Sequence, residues 1–302
     1  MTPSARTVQR EIALKSKPLV SVIIPTRNSS RTLYGCLRSI KNQTYKNIDV
    51  IVVDNYSSDN TEEVAKLFDV RFFRHGCERS AQMNYGAQMA EGEYFLFSYS
   101  DFYLKPGLVE HCVDRCESDT NVDALFVPVE TKTRDNFWVK CRALERKLIN
   151  LGEPLIECPR FYKRRAFEKV GGFDETLIIE DYDILNRMKA AGLKIVRSKV
   201  STLHEDPSSL KDFVLGYLYF GKNGVPLFIR KHGSLAMAQY SFIRPTYIRH
   251  FSVFKKDPLH ATGLLFCRLV YYMAAFFGML TYFFHILADV GNRGNSPRIL
   301  FG

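Results

Sequence analysis

The stretch VSVIIPTRN at residues 20–28 decides the fold, because it joins an apolar β-branched run to an abrupt polar end. Leu19–Ile24 is short and closed by Pro25, so it predicts a buried strand of a parallel sheet rather than a helix. A second apolar run, Ile48–Val53, ends in the same way at Asp54. Two runs of this kind predict neighbouring strands with polar carboxyl ends.

Helical segments alternate with these strands. Residues 29–43 place Leu33, Leu37 and Ile40 at helical spacing, and a further helix is predicted at about Thr61–Phe68. The order strand, helix, strand, helix predicts an α/β fold in which helices flank a mostly parallel sheet.

Three polar segments stand at the carboxyl ends of predicted strands, at residues 25–28, 54–59 and 99–101. In open parallel sheets, ligands bind beyond the carboxyl ends of the strands. We therefore expect these three segments to converge on one ligand-binding crevice.

Composition divides the chain into four regions. Residues 1–18 are polar and predict a mobile arm or a short surface helix, and residues 19–206 carry the α/β pattern. Residues 207–258 mix aromatic and basic residues, which is typical of amphipathic helices lying in a membrane interface. Residues 259–302 contain the most apolar stretch and predict a membrane-associated or transmembrane region.

The net charge of +10 suits nucleic acid, anionic lipid or phosphorylated substrates. Its placement favours lipid headgroups over nucleic acid, because basic residues come just before the most apolar stretch. A solvated basic face without a partner is the alternative. The basic residues concerned are Arg230, Lys231, Arg244, Arg249, Lys255 and Lys256.

Leu264–Ala288 is an apolar run of 25 residues, interrupted only by Arg268 and His285. As a helix it exceeds the roughly 30 Å of a bilayer core. A single spanning helix, with Arg268 extending to the headgroups, is one interpretation. A hairpin broken near Gly278 and a buried core helix are the others.

The seven cysteines are scattered without a paired CxxC, which indicates reduced thiols in a cytoplasmic compartment unless the protein comes from a hyperthermophile. Together with the apolar run, this predicts a protein of the cell membrane whose catalytic domain is cytoplasmic. The sequence does not indicate an oligomeric state.

Four segments in order resemble glycosyltransferase family 2: VSVIIPTRN, then IVVDNYSSDNT at 51–61, MNYGAQMAEGEYFLFSYSDFYLKPG at 83–107 and GGFDETLIIEDYDILNRMKAAG at 171–192. The resemblance covers residues 19–206. It implies a GT-A fold that binds a nucleotide-sugar donor and transfers the sugar with inversion.

The resemblance implies that Pro25, Thr26, Asn28 and Asp54 surround the base and ribose of the donor. An Asx-turn or helix cap is the alternative for Asp54, and capping of the following helix is the alternative for Thr26 and Asn28. Arg79 suits a donor phosphate, or is a plain surface arginine.

Arg160 belongs to a basic segment that precedes the acidic pair Glu180 and Asp181. It suits contact with the phosphates of an acceptor; a solvated turn is the alternative.

The resemblance implies an Asp-x-Asp metal motif at residues 99–101, but Tyr99 replaces its first carboxylate. The resemblance implies that Asp101 binds both the donor and a divalent cation, Mg²⁺ or Mn²⁺. His204 lies where many family members contribute a further ligand, and neutral imidazole favours Mn²⁺. A structural histidine is the alternative.

Glu180 and Asp181 begin a predicted helix, where acidic residues often serve as caps. The resemblance instead implies that Asp181 is the general base, which takes a proton from the acceptor hydroxyl. Glu180 is expected to contact the acceptor or to orient the loop.

The sequence thus predicts a metal-dependent hexosyltransferase of glycan assembly. The expected donor is GDP-mannose, with UDP-sugars nearly as suitable, and the expected acceptor is lipid-linked, such as a dolichyl or other polyprenyl phosphate glycan. A processive polysaccharide synthase and a catalytically silent scaffold that binds nucleotide-sugars are the alternatives.

Overall fold

A computed structural model describes residues 17–132 and 135–293, with side chains described up to residue 284. The residues divide into two compact units. The first contains residues 17–132, Ile149–Thr176 and Glu180–Asp206, and the second contains residues 135–148, Leu177–Ile179 and 207–293. The expected arm at residues 1–18 lies almost wholly outside the described residues.

The strands in chain order are β1 Val20–Thr26, β2 Ile48–Asp54, β3 Arg71–Arg74, β4 Tyr94–Phe97, β5 Phe102–Leu104, β6 Val122–Phe126, β7 Val129–Thr131, β8 Pro159–Lys163, β9 Lys194–Arg197 and β10 Thr202–His204. Seven of them form one sheet in the order β3-β2-β1-β4-β8-β6-β9. Only β8 runs antiparallel to its neighbours. The predicted α/β fold with a mostly parallel sheet is confirmed.

The helices in chain order are α1 Ser30–Lys41, α2 Thr61–Lys66, α3 Arg79–Met89, α4 Leu108–Ser118, α5 Phe137–Ile149, α6 Arg164–Lys169, α7 Glu180–Ala190, α8 Leu210–Asn223, α9 Val225–His232, α10 Ser234–Gln239, α11 Pro245–Arg249, α12 Phe251–Lys256 and α13 Pro258–Arg293. Helix α5 groups almost entirely with the second unit, although the sequence pattern places it in the α/β half.

Strand β1 has apolar cores on both of its faces. Val22 and Ile24 pack into one buried cluster, and Ile23 packs into another with Ile51 and Phe97. A strand covered on both faces needs apolar residues at successive positions rather than at alternate ones. This accounts for the apolar run that begins the domain, in which Ser21 is the one polar residue.

Pro25 does not end β1, contrary to the sequence expectation. Ile23 is the last residue of β1 paired with β4, and its carbonyl accepts from the backbone N–H of Ser98. Since backbone groups alternate sides along a strand, Pro25 faces the β4 side beyond that last pair. Proline removes no ladder hydrogen bond there, so β1 continues to Thr26.

A small second sheet follows the main one in the first unit. Strand β10 pairs antiparallel with β5 and parallel with β7. Its register places His204 opposite Phe102, the residue directly after Asp101. This pairing joins two segments that are about a hundred residues apart in sequence.

In the second unit, helices α8 and α13 pack backbone to backbone. A Cβ atom added to Gly221 would lie 2.1 Å from the carbonyl oxygen of Ala275, and one added to Gly278 would lie 2.2 Å from that of Leu218. Small residues permit this close approach, which is common between membrane helices. Because α13 is continuous through Gly278, the hairpin interpretation is wrong.

Arg268 does not extend to a membrane surface, contrary to that expectation. Its side chain is 4% exposed, and Nη1 donates to Glu145 Oε1 at 2.6 Å and to the Tyr247 hydroxyl at 3.1 Å. Among the described residues, one helical segment, Pro258–Phe284, is long and apolar enough by composition to cross a membrane.

Candidate functional site

The carboxyl ends of β1 and β2 form a closed polar corner. Thr26 Oγ1 donates to Asp54 Oδ1 at 2.8 Å, and the backbone N–H of Ser57 donates to Asp54 Oδ2 at 2.8 Å. The Ser57 hydroxyl also donates to Asp54 Oδ1, and Asp54 is 2% exposed. The Asp54 carboxylate therefore fixes the turn after β2. This agrees with a turn-forming role, which was the alternative interpretation of Asp54.

Asn28 ties the same corner to the neighbouring loop. It has a φ of 49°, and its Oδ1 accepts from the backbone N–H of Ser58 at 2.9 Å. The N–H of Ser30 at the start of α1 instead donates to Asp59 Oδ2 at 3.0 Å. Asp59 therefore caps α1. The sequence interpretation missed this residue and gave capping as the alternative role of Thr26 and Asn28.

Gln82 is a further residue that sequence reasoning missed. Its side-chain amide donates to the carbonyl of Thr26 at 2.9 Å and to that of Val53 at 2.6 Å. It therefore fixes both strand ends beside Pro25, which is buried. A polar residue on the buried face of a helix is the only signal of it in the sequence.

Asp101, directly before β5, lies next to His204 of β10. His204 Nε2 is 3.1 Å from Asp101 Oδ2, and His204 Nδ1 is 2.9 Å from Asp206 Oδ1. Asp101 Oδ1 is buried and has no hydrogen-bond partner in the described structure. An imidazole oriented by one carboxylate beside another with an unused oxygen suits a divalent cation.

The described residues contain no group of three or more His, Cys, Asp or Glu side chains arranged to hold a metal by themselves. Two protein ligands would leave the remaining positions of a cation to phosphates and water.

Glu180 is held by Arg79 at the start of α7. Arg79 Nε donates to Glu180 Oε1 at 2.6 Å, and Nη2 donates to Oε2 at 3.0 Å. Glu180 is 1% exposed, and burial raises its pKa against the opposing charge of Arg79. Arg79 is thus a bidentate partner of Glu180, so the plain surface arginine interpretation is wrong.

Asp181 remains more open than its neighbour. Its side chain is 28% exposed, and Oδ2 accepts from Arg160 Nη2 at 3.3 Å. Burial would lower the pKa of Arg160, but Asp181, Tyr99 and Cys158 together raise that pKa above its usual value. Arg160 is therefore part of this cluster and does not lie in a solvated turn.

Tyr99 lies between the two ion pairs. Its hydroxyl is 3.3 Å from Glu180 Oε1, and 3.4 and 3.3 Å from the two carboxylate oxygens of Asp181. The guanidinium groups of Arg79 and Arg160 lie 5.0 and 4.7 Å from the ring centroid. Burial raises the pKa of Tyr99 well above its usual value, so the phenol is a proton donor.

The loop at residues 99–101 connects the predicted parts of the site. Tyr99 contacts Asp181, Asp101 contacts His204, and the Ser100 hydroxyl donates to that of Ser29 at 3.0 Å beside β1. The expected convergence of three strand ends is therefore present within the first unit.

A sequence model described as glycosyl transferase family 2 matches residues 21–172 of the 302. An uncharacterized glycosyltransferase of Rickettsia typhi is 32% identical over 183 residues, which cover 55% of this chain and 57% of the relative. Chondroitin synthase of Escherichia coli is 27% identical over 223 residues, covering 66% of this chain and 31% of the synthase. The matched part spans between about a third and somewhat more than half of these relatives.

Among solved structures, the mannosyltransferase PcManGT of Pyrobaculum calidifontis, in complex with GDP-Man and Mn²⁺, superposes with a TM-score of 0.60 at 17% identity, covering 88% of both chains. TarS residues 1–349 of S. aureus, in complex with UDP-GlcNAc, give a TM-score of 0.55 at 15% identity, covering 93% of both. At these identities the likeness shows the fold, and the expected GT-A architecture is confirmed.

Proposed function

The chain belongs to glycosyl transferase family 2, and from that premise we propose that it transfers a sugar, with inversion, from a nucleoside diphosphate sugar to an acceptor hydroxyl. The observation that carries the proposal is the placement of Asp181, which is partly exposed at the start of α7 and fixed by Arg160 and Tyr99. A general base needs both access to the acceptor and a fixed orientation.

In the proposed reaction, Asp181 accepts the proton of the acceptor hydroxyl while the hydroxyl oxygen attacks the anomeric carbon. The bond from that carbon to the diphosphate oxygen breaks, and its electron pair leaves with the nucleoside diphosphate. Asp181 then releases the proton to solvent. Glu180 holds Arg79 beside Asp181. The positive charge of Arg79 would then offset the negative charge that develops on the departing diphosphate.

We assign a divalent cation to Asp101 and His204, because Asp101 has an unused buried oxygen and His204 is oriented by Asp206. The family resemblance implies such a cation, and the Pyrobaculum structure contains Mn²⁺. When bound, the cation would neutralise charge on the diphosphate. Pro25, Thr26, Asn28 and Asp54 would shape the base and ribose pocket through backbone groups, since Asp54 is occupied internally.

Lipid attachment and a lipid-linked acceptor are supported by the second unit. Ile248, Phe251 and Leu259 are 71%, 57% and 65% exposed, and the basic residues Arg249 and Lys255 accompany them. Exposed apolar side chains beside basic ones suit an anionic membrane surface.

An apolar groove of about 490 Å³ in the same unit suits a hydrocarbon chain of the acceptor; its lining is Ile243, Tyr247, Ile248, Phe251, Phe254, Lys255, Pro258, Ala261, Thr262 and Leu265. The second unit therefore supports attachment to a cell membrane, and the free cysteines of the chain support a cytoplasmic catalytic unit. GDP-mannose is the first donor to test, because the Pyrobaculum neighbour binds GDP-Man.

The donor is testable by thermal unfolding of the full chain with GDP-mannose, UDP-GlcNAc or other nucleotide-sugars, each with and without Mn²⁺. A ligand that binds only the folded state raises the unfolding temperature. We expect one donor to raise it more with Mn²⁺ than without, and Asp101→Ala to remove the Mn²⁺-dependent part. No shift with any donor would contradict the proposal.

The acceptor is testable by supplying that donor with polyprenyl phosphate in vesicles and sizing the product. Addition of one sugar supports the proposal, whereas a ladder of products favours the processive alternative. Donor binding without any transfer favours the silent scaffold. Phe251→Glu should lower binding to phosphatidylglycerol vesicles without changing the binding of the donor.

A further inference from the structure

Tyr99 occupies the position at which the family resemblance leads us to expect a carboxylate. Its hydroxyl lies within 3.4 Å of three carboxylate oxygens, one from Glu180 and two from Asp181. A phenol carries one proton, so it donates one full hydrogen bond at a time. The question is which carboxylate receives it.

Glu180 is already paired with Arg79. Its Nε and Nη2 groups donate to both oxygens of Glu180 in a bidentate pair. Such pairs are short and charge-assisted, and they satisfy much of the accepting capacity of the carboxylate. Asp181 has a single arginine contact, at 3.3 Å from Arg160. The Tyr99 hydroxyl therefore donates its hydrogen bond to Asp181 rather than to Glu180.

The ring of Tyr99 is fixed independently of its hydroxyl. Guanidinium groups stack near it from Arg79 and Arg160, and the ring of Phe102 meets it edge-on with centroids 5.1 Å apart. The Cys36 thiol donates to the Tyr99 carbonyl at 3.3 Å. Replacing tyrosine by phenylalanine would thus remove the donor while keeping the stack.

We propose that Tyr99 is a positioning residue for the general base: its hydroxyl donates to the Asp181 carboxylate and holds it oriented toward the acceptor. This inference rests on the proposed function, in which Asp181 takes the acceptor proton. When Asp181 becomes protonated, the Tyr99 hydroxyl turns to Glu180 Oε1 at 3.3 Å, and Tyr99 neither gains nor loses a proton.

The charged and titratable groups around Asp181 come from several elements, and all remain in place when only the hydroxyl is removed. They are Arg79, Cys158, Arg160, Tyr162 and Glu180. A change in pH dependence after removal of the hydroxyl therefore reports the lost hydrogen bond.

The test compares Tyr99→Phe with Tyr94→Phe in the full chain, using the donor found by thermal unfolding and polyprenyl phosphate vesicles. Tyr94 is the matched control, because it begins the strand that Tyr99 follows and its hydroxyl donates to another carboxylate, Glu117. We expect Tyr99→Phe to lower kcat about tenfold with little change in the donor KM. The acidic limb of its pH–rate profile should move up by about one pH unit.

Three outcomes would overturn the inference: an unchanged kcat and acidic limb in Tyr99→Phe, equal losses in both variants, or a loss confined to the donor KM. Asp181→Asn separates this failure from failure of the proposed function. If Asp181→Asn retains transfer, the assignment of the base is wrong. If Asp181→Asn is inactive while Tyr99→Phe behaves as wild type, only the role of Tyr99 is wrong.

Discussion

Each unit buries a glutamate beside arginine and tyrosine, with Glu145 in the second unit and Glu180 in the first. Glu145 accepts from Arg142, from Arg268 and from the Tyr247 hydroxyl. Glu180 accepts from Arg79 and has a second carboxylate, Asp181, as its neighbour.

The two carboxylates respond in opposite directions to similar burial. Burial alone would raise the pKa of Glu145, but Arg142, Arg268 and Arg244 lower it to about 2. In contrast, burial and the charge of Asp181 raise the pKa of Glu180 against Arg79. A surplus of cations makes Glu145 a structural anchor, whereas a buried carboxylate with a raised pKa beside a second carboxylate is typical of a functional site.

The largest effect expected from this contrast is on stability. Glu145→Gln should lower the free energy of unfolding by about 3 kcal/mol, because it leaves buried arginines without their carboxylate. Chemical denaturation in detergent micelles measures this loss. Glu168→Gln is the control, since Glu168 is 60% exposed and its pair with Arg164 should contribute less than about 1 kcal/mol. Equal losses in the two variants would contradict the contrast.

The same carboxylate predicts an acid dependence of stability. The folded pKa of Glu145, about 2, lies below the usual 4.5, so its contribution is present above about pH 4.5 and is lost as the pH falls toward 2. The stability difference between wild type and Glu145→Gln should shrink over this window, by at most about 1.4 kcal/mol per pH unit. A difference that stays constant from pH 6 to pH 3 would contradict this assignment.

The smallest expected change in stability is that of Glu180→Gln. Its ionised form is disfavoured by burial, so losing the ion pair with Arg79 is partly offset by removal of a buried charge. We expect a change within about 1 kcal/mol at neutral pH, together with slower transfer. A loss as large as that of Glu145→Gln, with transfer unchanged, would reverse the roles of the two glutamates.

The main sheet and its polar edge were predictable from sequence, because each depends on local patterns. Apolar runs followed by Pro25 and Asp54 mark the strands, although β1 extends to Thr26, and parallel pairing brings their ends together. The acidic start of α7 was also predictable, as a pair of carboxylates before an amphipathic helix.

The contacts that give these residues their roles were not predictable from sequence. Tyr99 and Asp181 are 82 positions apart, and the small sheet that brings Asp101 to His204 consists of three-residue strands, which are too short to show a pattern. Arg268 lies in a segment with the composition of a membrane helix, yet it pairs with the Glu145 carboxylate of α5. Polar contacts between residues distant in sequence decided each case.

The most direct measurement is a single-turnover experiment with wild type and Asp181→Asn, using the donor and lipid acceptor identified above. The substitution keeps the size of the side chain and removes its negative charge together with its basicity. We predict unchanged donor binding and a transfer rate constant lowered at least about a hundredfold. A rate constant close to that of wild type, with donor bound normally, would contradict the assignment of Asp181 as the base.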